Sequence, residues 1–478
     1  MLTENIKTRD EHHLEPPSKP VSAWLEVALV ATGSIAFGLL FSYPILPHLK
    51  EPGTIWDWDF FRAMAWVSWK TVVHFHQFPV WNPYLCGGIP MLGDPQTSVV
   101  TPMFLVLLIF GPVVGIHLEI VIHLAVAWAG GYVLARVLGL GTLAAVTCAT
   151  IFPASSWFYL HVTVGQHNFM PATYWPWVLA LALLAIDRHK LGWASLAGLF
   201  IALIFLEGSP HQASFAVLLL AAVLAPAGIV RRDIWSFLVL GTVVAFAAGF
   251  AAIKTFPTYA FVEQHPRPTY TRELVSFRDV AIALFDRKQN FDREGIAGYA
   301  FFEGGAYLSP LFLPLFVVGA VTRWRQTWPW IVAGTIMVAL AFGHFAPHAP
   351  WTLLHRWPPF SWERITIRLL IPFVLCAGVI AAYGVDFLDR CRPPWTIVLA
   401  GLLIVAGAVD AFSVGPHNLR AIEAYFEQQV PASAAFEQFE TPYQPDYQNR
   451  MLRFITANVG LTHCYEYTVI PTATLGYN

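Results

Sequence analysis

Apolar runs separated by short polar links recur from Val21 to Ser413. A helix needs about 20 predominantly apolar residues to cross a bilayer. On that criterion eleven segments read as spans: Val21–Tyr43, Val114–Val137, Leu143–Phe158, Pro171–Ile186, Leu191–Leu206, Pro210–Ala227, Trp235–Phe256, Tyr307–Thr322, Trp328–Gly343, Ile367–Leu388 and Trp395–Ser413. The predicted fold class is an all-α polytopic membrane protein with about 11 transmembrane helices.

The basic residues give the run of spans a sidedness. Arg136, Arg188 with Lys190, Arg231 with Arg232, Arg323 with Arg325, and Arg390 with Arg392 fall at alternate turns. Positive charge marks cytoplasmic loops, so these turns and the N-terminus are placed inside and the C-terminus outside. One apolar run, Val99–Phe110, breaks the alternation if it spans. It is shorter than a span and is expected to be a short interfacial or re-entrant helix around Pro102. The outside face then carries residues 44–113, a Tyr159–Met170 link, the Glu207–Pro210 turn, a long loop over 257–306, the His344–Thr366 loop and a tail over 414–478. Residues 1–20 form a cytoplasmic N-terminal tail, and 21–413 form the membrane domain.

Composition agrees with the pattern. Hydrophobic residues make up 56% of the 478, charged residues only 12%, and mean hydropathy is +0.55. A soluble domain carries about 25% charge. The 19 Trp suit interfacial belts. A net charge of −2 argues against a nucleic-acid partner. Of the five Cys, Cys148 and Cys376 fall inside spans as packing residues and Cys391 in a basic loop. Cys86 and Cys464 both fall outside, where a disulfide between them is open.

The longest outside segment carries the first candidate chemistry. It contains WDWDFFRAMAWVSWK from Trp56, with Asp57 and Asp59 shortly past the first span. An Asp-x-Asp pair can hold a divalent ion, or supply a general base and an orienting carboxylate. It can also simply cap the helix that follows, since acids favour helix N-termini. Phe60–Phe78 has helical spacing, with Arg62, Lys70 and His76 on one side. It is expected to lie flat in the headgroup layer with its basic residues snorkelling. The Pro- and Gly-rich run after it enforces irregular backbone, within which Asp94 is either a functional carboxylate or a turn former.

Other candidates sit at the outer span ends. Glu207 and His211 flank a Gly-Ser-Pro break, and His161 and His167 lie in another link. Ionisable residues in a bundle are functional candidates by default, with interhelical hydrogen bonding as the alternative. Glu303 closes the long loop. Arg364 and Arg368, spaced i, i+4 in FSWERITIRLL, are expected to share a helix face and suit phosphate oxygens, or else to anchor the interface or pair with Glu363. The tail is polar, with a short helix expected over Arg420–Gln429 and a strand over Thr462–Thr472.

The acidic first loop, FPVWNPYLCGGIPMLGDPQTSVVTP, the GSPHQ turn and WERITIRLLIPFVLCAGVIAAYG together resemble bacterial YfhO-type membrane proteins of the GT-C glycosyltransferase superfamily. The resemblance runs from about Trp56 to Gly384. It implies a GT-C-like bundle that transfers a sugar, with inversion, from a polyprenyl-phosphate-linked donor. The acceptor is a cell-envelope glycan, lipid or protein on the outer face of the bacterial inner (plasma) membrane. It points to Asp57 or Asp59 as the catalytic carboxylate or part of a metal site, with Mg or Mn as the candidate cation. Asp94, His167, Glu207, His211, Glu303, Arg364 and Arg368 are the candidate substrate-binding residues. The alternative is a transporter or flippase of a lipid-linked substrate, whose signature is ionisable residues at mid-span and symmetric broken helices.

Overall fold

The computed structural model describes residues 22–50, 57–85, 88–264, 274–391, 395–419, 437–439 and 459–461. Helix occupies most of each predicted segment, but Leu143–Phe158 is interrupted over 152–155 and Tyr307–Thr322 begins with irregular backbone. In chain order the helices are α1 (Ala23–Phe41), α2 (Asp57–Val73), α3 (Pro102–Val137), α4 (Thr142–Ile151), α5 (Ser156–Thr163), α6 (Trp175–Arg188), α7 (Leu191–Leu206), α8 (Pro210–Arg231), α9 (Ile234–Gln264), α10 (Phe277–Phe285), α11 (Phe301–Gly304), α12 (Leu313–Thr322), α13 (Trp324–Ala341), α14 (Pro350–Leu354), α15 (Leu370–Asp389) and α16 (Trp395–Leu419). Two-residue strands β1 (Trp81–Asn82) and β2 (Ile89–Pro90) pair antiparallel between α2 and α3. In the tail, β3 (Glu437–Phe439) pairs parallel with β4 (Val459–Leu461). Among the described residues, eight helical stretches are long and apolar enough to cross a membrane, so the chain is a multi-pass membrane protein.

The centre of the bundle is α15, almost wholly buried and packed by α4, α12, α13 and α16. Small residues set its closest crossing. A Cβ on Gly384 would overlap the Leu315 carbonyl, and one on Gly319 the Ile380 carbonyl. Lipid tails are as apolar as the helices, so close backbone approach is what drives such packing. Away from the centre, α1, α9 and α16 leave rows of large apolar side chains exposed, including Trp24, Phe246, Phe256, Leu402 and Val405.

The run expected to be a re-entrant helix forms the first part of α3, which breaks at Gly111 (φ 80°, ψ 166°) before Pro112. The residue before a proline is pushed out of helical geometry, and a proline starts a new helix readily. A Cβ on Gly115 would press into Leu107 Cα at 2.7 Å, so the first part folds back against the second. Leu105, Ile109 and Phe110 on it stay exposed.

Three expectations are corrected. First, α2 does not lie flat with snorkelling cations. Its first turns are embedded, with Trp58, Asp59, Phe60 and Arg62 buried and Asp57 half-buried, and full exposure begins only at Val73. Second, Pro257 does not end its helix: α9 runs on to Gln264, so the long loop is shorter than 257–306 and holds α10 and α11. Third, α16 extends to Leu419, past the boundary set at 413. The expected helix over Arg420–Gln429 and strand over Thr462–Thr472, and the cysteines Cys86 and Cys464, lie outside the described residues.

Candidate functional site

The candidate side chains gather around one segment, residues 161–174, which runs from the last residues of α5 to the start of α6. Gly165 (φ 91°) lets α5 stop and the chain reverse, since a left-handed backbone costs glycine little. A 3-10 helix over His167–Tyr174 then leads into α6.

The start of α2 docks on that reversal. Asp57 N donates to the Val164 carbonyl at 3.0 Å, and Trp58 Nε1 to the Thr163 carbonyl at 3.2 Å. Gln166 Nε2 donates to Asp57 Oδ2 at 2.8 Å. Asp57 is half-buried and sits in the first turn of α2, whereas Asp59 is fully buried. Arg62 lies one turn on from Asp59. Its Nη2 is 3.0 Å from His117 Nε2 on α3, and its guanidinium covers the Trp58 ring at 4.8 Å. Burial pushes the Arg62 guanidinium down to about 9, against the pull of Asp59. His167 also stacks on Trp58, with ring centroids 6.3 Å apart.

A second group forms around Phe169. The Arg368 guanidinium lies over its ring at 4.5 Å, and the His161 ring is 4.5 Å away. Arg368 donates from Nε at 2.7 Å and Nη2 at 2.6 Å to Glu303 Oε2, while His161 Nε2 sits 3.6 Å from the same oxygen. Burial raises the Glu303 carboxyl, but Arg368 and His161 outweigh it and hold it at about 2. His211 stacks on Phe169 at 6.4 Å. Its Nδ1 meets the buried Glu363 Oε2 at 2.7 Å, and the Ser214 hydroxyl donates to Glu363 Oε1 at 3.1 Å. The imidazole itself stays partly exposed.

Behind the segment the polar layer continues into the bundle. His123 on α3 lies 3.7 Å from Glu119 and 3.3 Å from Glu207, and its Nδ1 is 2.9 Å from the Thr173 hydroxyl. Tyr174 donates to Glu207 Oε1 at 3.1 Å. Burial pushes the Glu207 carboxyl up, against the opposing effect of His123. On the far side of Glu207, Lys254 of α9 donates to the carbonyls of Pro95, Thr97, Phe205 and Leu206. Those last two are end carbonyls of α7, where a cation is favoured. Asp94 is buried and its Oδ1 accepts from Gln96 N at 2.8 Å, the geometry of a turn former. Burial raises its carboxyl, while the Gln96 amide and Lys254 lower it.

Of the candidate residues, Asp57, His167, Glu207, His211, Glu303 and Arg368 touch segment 161–174 or belong to it. Asp59 stands behind them beside Arg62. Asp94 joins through the Gly208 turn, where a Cβ on Gly208 would overlap the Gln96 carbonyl. The arginine pair is corrected. Arg364 lies on non-helical backbone before a 3-10 turn over Thr366–Leu369, so the two do not share a helix face. Arg368 pairs with Glu303, and Glu363 pairs with His211. Arg364 is half-buried, and its carbonyl accepts from the Tyr299 hydroxyl at 2.7 Å. Sequence reasoning passed over His117, Glu119, His123 and Lys254. Each is an ionisable residue inside an apolar helix, which was signal enough to find it. Among the described residues, no group of three or more His, Cys, Asp or Glu is arranged to hold a metal ion.

No protein-family model matches the chain, and no curated protein matches it. Solved structures do. The archaeal oligosaccharyltransferase AglB from Archaeoglobus fulgidus, in complex with an inhibitory peptide and a dolichol-phosphate, aligns with a TM-score of 0.51 at 12% identity, over 92% of this chain and 65% of its own. ArnT from Cupriavidus metallidurans bound to undecaprenyl phosphate gives 0.49 at 12% identity, over 90% of this chain and 85% of its own. The likeness to AglB gives the fold: the chain shares the helical membrane architecture of that protein. It spans about 65% of the length of AglB.

Proposed function

We propose that this chain is a GT-C glycosyltransferase of YfhO type, with its N-terminus in the cytoplasm and its C-terminus outside, in a bacterial inner membrane. The membrane domain runs from residue 21 to the end of α16 at 419, and an outside tail follows. It moves a sugar, with inversion, from a polyprenyl-phosphate-linked donor to a glycan, lipid or protein acceptor of the envelope. The observation that carries this reading is the position of Asp57. It is a half-buried carboxylate at the first turn of a helix, held by Gln166 on the segment that also meets the Glu303–Arg368 pair. AglB and ArnT, the neighbours in fold, were solved with dolichol-phosphate and undecaprenyl phosphate respectively.

In this reading Asp57 takes the proton of the acceptor hydroxyl as its oxygen attacks the anomeric carbon. The bond from that carbon to the donor phosphate breaks, and the phosphate leaves with the electron pair. Arg364 faces the leaving phosphate. Arg368, already neutralised by Glu303, shapes the wall instead, and Asp59 offsets Arg62. A divalent cation at Asp57 and Asp59 does not fit the donor set, because Asp59 is buried against Arg62 and no third ligand joins them among the described residues. No step is drawn through one. His211, Glu207, His167 and Asp94 line or support the acceptor side. The test is transfer of labelled sugar from membrane lipid donors by Asp57→Asn. Loss of transfer in a folded variant supports the reading, and full activity overturns it.

The second reading is a transporter or flippase of a lipid-linked substrate. It draws on Glu119, His123 and Lys254, ionisable side chains buried inside membrane helices. Movement of a fluorescent polyprenyl-phosphate lipid across proteoliposomes, with no sugar transferred, favours it.

A further inference from the structure

A short turn outside α2 helps to place Asp57. Residues 163–166 fasten the first two residues of α2 by three hydrogen bonds: Asp57 N to Val164 O, Trp58 Nε1 to Thr163 O, and Gln166 Nε2 to Asp57 Oδ2. Gly165 lies so close that a Cβ there would overlap Trp58 N, so no side chain intervenes. The same turn is anchored the other way. Gln166 N donates to the His161 carbonyl at 2.8 Å, and the His161 ring meets Glu303, which holds Arg368. A continuous path of short contacts therefore runs from the Glu303–Arg368 pair through His161 and Gln166 to the Asp57 carboxylate.

Only one of the three contacts to α2 reaches a reactive atom. The other two hold the backbone and an indole. Gln166 touches Asp57 Oδ2 itself, so it acts directly on the orientation of the carboxylate. A misplacement of about 1 Å at such a group costs on the order of a hundredfold in rate.

We propose that Gln166 is the positioning residue for Asp57, holding its carboxylate in the orientation that meets the acceptor hydroxyl. This rests on the reading of Asp57 as the base. Gln166 acts through Asp57 and does not bind the donor, so its loss falls on kcat and not on KM.

The probe is a pool of lipid-linked sugars labelled with tritium in native membranes, added to purified full-length protein in nanodiscs. Gln166→Leu removes the amide. Gln166→Glu keeps the shape and sets a second carboxylate against Asp57. Both are expected to lower kcat by roughly ten- to a hundredfold, with the apparent donor KM within about threefold and the melting temperature close to that of the parent. Wild-type kcat in either folded variant overturns the proposal, as does a rise in KM at unchanged kcat. If the leucine variant does not fold, the glutamate variant decides. Asp57→Asn separates the two layers. If it is fully active, the underlying reading fails. If it is inactive while the Gln166 variants turn over normally, only the positioning role fails.

Discussion

Both ends of the bundle carry buried ion pairs, but they are built differently. At one end Asp386 serves as a fastener. Its Oδ1 accepts from Gly141 N and Arg390 Nη2, both at 3.0 Å, and its Oδ2 faces Arg323 Nη2 at 3.5 Å. Nearby, Arg136 Nε donates to Glu26 Oε1 at 2.5 Å. Acids and arginines there tie the ends of α4, α12, α13 and α15, and of α1 and α3. At the other end, histidines and aromatic rings alternate with the charges: Trp58, His167, Phe169, His161 and His211 separate Arg62, Glu303, Arg368 and Glu363. There Asp57, His211 and Arg364 keep part of their surface open. The difference separates fastening from chemistry. Exposure alone does not mark it, since Glu26, Arg136, Arg323 and Arg390 are half-buried as Asp57, His211 and Arg364 are; what differs is the histidines and rings packed among the charges at the second end.

The contrast predicts opposite outcomes for carboxylates at the two ends. The largest effect is expected at Asp57. Asp57→Asn should lower transfer by about 10²–10⁴, the usual contribution of a general base, with little change in melting temperature. Transfer at the parental rate breaks the comparison at its root. Glu303→Gln should act on stability instead. It leaves Arg368 buried without its counter-charge, a loss of about 3–5 kcal/mol read from thermal unfolding in detergent. Replacing both partners with apolar residues of similar volume should recover most of that. A double variant as unstable as the single one would show that the pair is not the cause.

The same pair gives a pH signature. The Glu303 carboxyl sits below its ordinary value, so it adds stability that is full above about pH 4.5 and is lost as pH falls toward about 2. Unfolding midpoints followed from pH 6 to pH 3 should fall more steeply for the parent than for Glu303→Gln. Parallel curves would contradict the assignment.

How much of this was legible in the sequence follows from what kind of constraint wrote it. The spans were readable because lipid leaves the backbone no choice but a helix, and the alternating arginines marked their ends. The break in α3 was readable from the short run before Pro112. Arg62 was misplaced because a buried arginine and a snorkelling one have the same local pattern. What decides is His117, on another helix and 55 residues away. Arg364 and Arg368 were read as one helix face because spacing presumes a helix, and residues 363–365 are not one. The Glu303–Arg368 and His211–Glu363 pairs join residues far apart in the chain, which no local pattern encodes. Glu119 and His123, one turn apart in an apolar helix, could have been found.

At the fastening end, Asp386→Asn should cost about 1–3 kcal/mol, since it weakens bonds to two arginines and one amide but keeps an oxygen acceptor. Sugar transfer should stay within about twofold of the parent. A large loss of activity at unchanged stability would mean that the two ends are coupled, and would blur the distinction between them.

The smallest effect is expected at Arg293, which lies between the two kinds of site. Its Nη2 meets Asp286 at 2.9 Å, and its guanidinium covers the Phe301 ring at 4.7 Å, two residues before Glu303. Asp286 is held below the usual carboxylate range by the Lys288 amide and by Arg293, yet the pair is partly open to solvent. An exposed pair contributes about 0–1 kcal/mol, and a cation over a ring at such a site about 0.5–1. Arg293→Lys keeps the charge and gives up the flat stacking face, so it separates the two. A loss near 0.5 kcal/mol that persists in 0.5 M salt assigns the effect to the ring. A loss that disappears in salt assigns it to Asp286. If Arg293→Lys also lowers kcat, then the α11 side of the Glu303–Arg368 pair carries position to Asp57, as the turn at Gln166 does from the other.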